Sequence, residues 1–200
     1  MTPTLTSLPG LSVGHFTHPD RPTGCTVVLC PQGVVAGVDV RGAAPGTRET
    51  DLLAPGNSVP HVHAVLLSGG SAFGLEAAGG VMHWLEARGH GLRVGPACVP
   101  IVPAAVIFDL GVGNPALRPH AQAGQAACEQ ASADPVVRGN VGAGAGATVG
   151  KIFGATRAMR GGLGSACVQV GPWQVGALVV CNALGDVIDP HNGQLIAGAR

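Results

Sequence analysis

The stretch GNVGAGAGATVGK, Gly139 to Lys151, ends a glycine-rich run on the chain's only lysine. Backbone N–H groups free of Cβ atoms can cradle a phosphate there, and a lysine can neutralise it. A phosphate loop reads G-x-x-x-x-G-K-[ST]. Gly150 and Lys151 supply the G-K pair, but Ala145 stands at the first glycine and Ile152 at the magnesium-binding hydroxyl. The dinucleotide fingerprint matches better, at Gly142, Gly144 and Ala147. It also needs an acid about 20 residues on, for a ribose hydroxyl. Pro135 to Gly185 contains no Asp or Glu. Neither nucleotide chemistry is supported. Lys151 is the only lysine beside ten arginines, and a sole lysine among Gly and Ala can be a functional cation. The alternatives are a loop cap or a pairing with a distant acid such as Asp109.

Other residues offer chemistry at lower specificity. Asn182 ends an apolar strand, where its amide can donate to a developing oxyanion from a rigid support. An Asx-turn with Gly185 is the plainer alternative. Ser71, in LSGGSAFG, departs from the nucleophile elbow G-x-S-x-G because Phe73 replaces the last glycine. It is read as a helix N-cap. His61 and His63 would share one strand face, but no third metal ligand stands at a diagnostic spacing. Asp186 and Asp189 flank a turn, where such carboxylates bond to backbone. The six cysteines form no C-x-x-C pair and lie mostly in apolar surroundings, as buried free thiols of a reducing compartment do.

These residues need elements to hold them. Cys25–Pro31 and Val34–Arg41 are β-branched runs around Gln32-Gly33, which predicts a hairpin. Gly42 to Gly56 reads as a long polar loop. VHAVLLSGG followed by SAFGLEAAGGVMHWLEARG predicts a strand, a glycine turn and a helix from Ser71 to Gly89. Glycines 74, 79 and 80 weaken that helix by about 1 kcal/mol each, a cost that close packing of its backbone on a sheet would offset. Prolines in VPIVPAAVIFDL keep those points off a central ladder. Pro119 to Ala133 is Ala-rich and helical, Trp173 to Asn182 is a strand, and GDVIDPHNGQLIAGAR continues as a hairpin. Strands and helices mix without strict alternation, which favours an α+β layered sandwich over a doubly wound sheet.

Composition narrows the class further. The chain has 200 residues, 46% hydrophobic and 11% charged, with zero net charge and no Tyr. One domain of that length can bury a sizeable core. The lack of basic runs and stacking aromatics argues against nucleic-acid binding. No apolar run reaches the ~18–20 residues that span a bilayer, and the N-terminus lacks a signal-peptide pattern. A cytoplasmic location is expected.

Five blocks in order, VDVRGAAPGTRETDLL, LSGGSAFGLEAAGGVMHWLE, VPIVPAAVIFDL, GNVGAGAGATVGK and GALVVCNALGDV, resemble the L-aminopeptidase/D-amidase/esterase family. That family includes β-aminopeptidases and nylon-oligomer hydrolases. The match covers nearly the whole chain and corresponds to the α-subunit part of the family's self-cleaving precursor. The resemblance implies a four-layer αββα sandwich of the N-terminal-nucleophile type. It also implies residues 1–200 as one α-subunit domain and a β-subunit beginning with a nucleophilic Ser or Thr downstream of QLIAGAR. Small peptides, amino-acid amides or esters are the implied substrates, assemblies of αβ units the implied state, and no cofactor is implied. Carried over by position, Lys151 matches a lysine near the nucleophile. Asn182 matches an asparagine of the oxyanion hole or of self-cleavage. Phe108 stands where related hydrolases have a substrate-facing tyrosine, so one hydrogen-bond donor is missing. Two other readings compete. Ornithine acetyltransferases share a similar fold, but their Ala-Thr-Met-Leu motif is absent; a non-catalytic binding or assembly member would keep the fold alone.

Overall fold

The computed structural model describes residues 2–200. Its regular elements run in the order β1 (Ser12–Thr17), β2 (Gly24–Val34), β3 (Thr47–Arg48), β4 (Val62–Ser68), α1 (Ala77–Glu86), β5 (Leu92–Val94), β6 (Ala97–Val99) and β7 (Ala104–Val106). Then come α2 (Ala121–Glu129), β8 (Thr148–Val149), β9 (Met159–Arg160), β10 (Gly162–Val170), β11 (Trp173–Cys181), β12 (Val187–Ile188) and β13 (Leu195–Ala197). The larger sheet has the order β1-β2-β4-β7-β3. Its pairs are antiparallel except β4 with β7.

Alternation along the strands assigns the two faces of this sheet. Cys25, Val27 and Leu29 of β2, with Ala64 and Leu66 of β4, point to one side and form the main core with Val81, Leu85, Ala123 and Ala127 of the two helices. Val13 and the half-buried Val28 point to the other side, against Leu163, Leu178 and Val180 of the β10–β11 hairpin. Gly171, at φ 57°, takes the first position of its two-residue turn, where the primed hairpin turns require positive φ. The layers among the described residues are therefore helix, sheet and a two-stranded second sheet. The hairpin's outward side carries Val168, Val170, Trp173, Val175 and Val179, all more than half exposed.

Several expectations need correction. No hairpin forms at Gln32-Gly33. β2 runs straight through, and the positive φ of Gly33 marks a bulge where Leu29 pairs with Ala64 but Val34 with Val62. Residues 35–41 carry no ladder. The loop from Gly42 to Gly56 supplies the edge strand β3 and a 3₁₀ turn at Asp51–Leu53. Ser71 does not cap a helix with its side chain. It sits at φ 54° at the head of a 3₁₀ segment, with Gly70 as the capping residue, and α1 begins only at Ala77. Gly89 does end α1: its N–H reaches the Glu86 carbonyl and that of His90 reaches Leu85, a Schellman closure.

Close packing of α1 occurs, but mainly on a helix. A Cβ on Gly80 would run into the Ala121 carbonyl, and one on Gly124 into that of Ala77. Helix meets helix at backbone distance. Gly79 faces open space, so its intrinsic cost has no such offset. Of the six free thiols, Cys25, Cys30, Cys128 and Cys167 are buried and Cys98 and Cys181 half-buried. Burial pushes Cys25 and Cys128 up to about 12 and Cys30 to about 11, leaving them inert as nucleophiles.

Candidate active site

Three strand ends converge. Lys151 lies two residues past β8, Asn182 one past β11, and Phe108 two past β7. Glycines on both sides of Lys151 bring it and Asn182 together by near approach. Gly161 has no Cβ where the Cys181 carbonyl passes, and its N–H donates to Ala147. Gly150 and Lys151 donate their backbone N–H groups to Gly185 and Leu184 at 2.8 and 2.7 Å. The end of β8 is thus laced to the segment that carries Asn182.

Lys151 Nζ donates to three oxygens: the Thr148 carbonyl at 2.7 Å, the Asn182 carbonyl at 3.0 Å and Asn182 Oδ1 at 3.0 Å. Three donors meet three acceptors. Oδ1 also accepts the Thr148 N–H at 2.9 Å, and Asn182 Nδ2 donates to the Phe108 carbonyl at 3.3 Å. Among the described residues Lys151 has no salt-bridge partner, and Asp109 is engaged by Arg21 instead. The distant-acid alternative for Lys151 therefore fails. Partial burial holds the Lys151 amine below its ordinary 10.5, offset in part by Cys181. Asn182 makes no Asx-turn with Gly185; its Oδ1 faces Lys151 and Thr148, and its Nδ2 faces the Phe108 carbonyl.

The glycine-rich N–H groups are not free for a phosphate. Gly142 donates to Thr17 Oγ1 at 2.8 Å and Ala143 to Thr26 Oγ1 at 3.0 Å. Gly144, Ala145 and Ala147 close turns within the run. Gly142, Gly144 and Gly146 each lie where a Cβ would strike a neighbouring segment. These glycines serve close packing.

Remaining candidates take structural places. His63 is buried, with Nδ1 accepting the Ile101 N–H at 3.1 Å, while His61 precedes β4 rather than sharing its face. Among the described residues no three metal-ligating side chains cluster. Asp189 Oδ1 accepts the His191 N–H, and Asp186 Oδ1 the Ala199 N–H. Phe108 turns its ring outward, 65% exposed. Cavities of about 510 Å³ beside β1 and about 360 Å³ against β4 and β7 are not lined by Lys151. The role of Thr148 was not legible from residue type, because only its backbone acts. Nor was the buried ion pair Arg21–Asp109, whose partners are 88 residues apart; an acid inside the apolar VIFDL was its one signal.

Residues 4–198 match peptidase family S58. The chain belongs to that family. An uncharacterized aminopeptidase of Mycobacterium tuberculosis (strain ATCC 25618 / H37Rv) is 50% identical over 199 residues, covering 94% of this chain and 55% of that protein. A 6-aminohexanoate-oligomer endohydrolase of Paenarthrobacter ureafaciens is 36% identical over 191 residues, covering 95% and 50%. The chain spans about half the length of the curated relatives it matches. Among solved structures, the L-aminopeptidase D-Ala-esterase/amidase from Ochrobactrum anthropi, a variant of the Ntn hydrolase fold, superimposes with a TM-score of 0.70. Identity there is 20%, with 91% of this chain and 54% of that one covered. A Burkholderia sp. β-aminopeptidase gives 0.67 at 21% identity, covering 91% and 52%. The S58 chain thus has the Ntn hydrolase fold, as the family resemblance implied. Among its described residues no helix is long and apolar enough to cross a membrane.

Proposed function

We propose that this chain is the α-subunit of an N-terminal-nucleophile amide hydrolase acting on small peptides, amino-acid amides or esters. The observation that carries the reading is the carboxylate-free contact of Lys151 with Asn182 at three converging strand ends. The nucleophile is a Ser or Thr at the start of a β-subunit cut from the same precursor. Its hydroxyl adds to the substrate carbonyl while its α-amine takes the proton and later returns it to the leaving amine or alcohol. Lys151 supplies positive charge beside the nucleophile. Asn182 Nδ2 uses one hydrogen on Phe108, and its second is available for the oxyanion.

Two further observations support a partner segment here. Gly198 and Ala199 pack on Gly150, so the stretch before the proposed cut runs beside Lys151. The exposed apolar side of the β10–β11 hairpin is the kind of surface a further layer covers. Assembly of αβ units and a cytoplasmic location belong to the same proposal. Intact-mass spectrometry with N-terminal sequencing of the full reading frame tests it. Two fragments are expected, the second starting with Ser or Thr; a single uncut chain refutes the reading. Phe108, which lacks the tyrosine hydroxyl, favours a second reading as a non-catalytic member, and that reading predicts the uncut chain.

A further inference from the structure

We infer that Asp109 is a positioning residue for the Lys151–Asn182 pair, acting through the carbonyl of Phe108; only the kinetic arm of its test rests on the hydrolase reading. Asp109 is 1% exposed and Arg21 2%. Asp109 Oδ1 accepts Arg21 Nη2 at 3.0 Å and the Gly70 N–H at 2.8 Å, and Oδ2 accepts Thr23 Oγ1 at 2.7 Å. The Asp109 carbonyl accepts Arg21 Nη2 as well. Arg21 is anchored further on the carbonyls of Val112 at 2.7 Å and Leu117 at 2.6 Å. Both the side chain and the backbone of Asp109 are therefore held.

One residue earlier, the Phe108 carbonyl accepts Asn182 Nδ2 at 3.3 Å. A carboxamide can sit in two orientations related by a flip. A carbonyl at that point accepts only the N–H end, so Oδ1 is turned to the Thr148 N–H and to Lys151 Nζ. At this length a small backbone shift at Phe108 breaks the bond. Asp109 also lies under the glycine-rich run: a Cβ on Gly146 or on Gly69 would meet its carboxylate.

Removal of one partner from a buried ion pair is itself destabilising, so the test uses graded variants of the whole protein. Asp109→Asn weakens the pair, and Thr23→Val removes one hydrogen bond while leaving Arg21 in place. Leu85→Ala, in the core of α1, is the control for lost stability alone. Lysine labelled with ¹⁵N reports Lys151, with its resonance assigned by its loss in Lys151→Arg. On an amino-acid p-nitroanilide, Asp109→Asn is expected to lower kcat about tenfold or more and Thr23→Val about threefold, with KM nearly unchanged. In both, the Lys151 titration midpoint falls further, because Oδ1 no longer supports the ammonium. Leu85→Ala moves neither reading. Wild-type kcat and midpoint in both variants, or the same changes in Leu85→Ala, overturn the inference. If Asp109→Asn does not accumulate, Thr23→Val decides alone. If the wild-type protein turns over nothing, the hydrolase reading fails and the Lys151 midpoint decides the positioning role.

Discussion

Lys151 Nζ meets Asn182 Oδ1 at 3.0 Å across 31 residues of sequence, and among the described residues no carboxylate balances the charge. An ammonium on three neutral oxygens is well hydrogen-bonded but poorly neutralised. Its folded pKa lies below 10.5. At neutral pH the fold therefore holds the charged form at a cost, which is relieved as pH rises toward the unfolded value. Lys151→Met is expected to lower kcat/KM about 100-fold or more, as loss of a site charge does, without lowering Tm. A fall in Tm together with full activity would remove Lys151 from the mechanism. On the proposed function, the pH–rate profile of the unaltered protein should lose activity on an alkaline limb whose midpoint lies below 10.5.

Asn182→Ala removes the proposed oxyanion donor and one of the three acceptors of Lys151. Loss of one such donor costs about 10²–10³ in kcat with little change in KM. Steady-state kinetics on an amino-acid amide checks this. A rise in KM alone would make Asn182 a substrate-binding group.

Phe108 is largely solvent-exposed, so Phe108→Tyr should change stability by no more than about 0.5 kcal/mol. The added hydroxyl can donate near the site, and kcat is expected to rise a few-fold on amide substrates. Unchanged kinetics across several amides would place this ring outside the substrate's reach.

Helix propensity alone says that Gly80→Ala and Gly124→Ala each stabilise by about 1 kcal/mol. Packing predicts the opposite sign. Each new Cβ would strike a carbonyl of the facing helix, and overpacking of that kind costs about 1–3 kcal/mol. Gly79→Ala, facing open space, should follow propensity and stabilise. Urea denaturation of the three variants separates the two effects.

His15 and His63 are held below 6.5 by burial, His63 also by His61 and His90. Above 6.5 both states are neutral and this stability is fully present. As pH falls, the unfolded chain protonates first, so stability is lost until the folded values are passed. The urea midpoint should drop between pH 7.5 and pH 5. His63→Asn, whose Oδ1 can still accept the Ile101 N–H, should flatten the slope. A midpoint independent of pH would contradict these shifts.

Local pattern carried much of the fold. The apolar runs at Val62–Ser68 and Trp173–Cys181, the Ala-rich helix α2 and the Gly89 stop all formed where composition placed them. Misreadings came from glycine and serine at positive φ. Gly33 bulges a strand instead of reversing it, and Ser71 follows Gly70 into a left-handed turn instead of capping a helix. Residue type shows that such a conformation is affordable, not how the neighbouring strand will use it.

The sequence by itself determined that Lys151 is the only lysine, that its glycine run fits no nucleotide template, and that five ordered blocks resemble one hydrolase family. Only the tertiary structure decided what Lys151 touches, which way the Asn182 amide faces, and that Asp109 belongs to Arg21. Patterning along a chain reports which side chains can be buried, because burial follows the period of each strand or helix. Hydrogen-bond partners 31 or 88 residues apart depend on how whole layers stack. No local period encodes that distance.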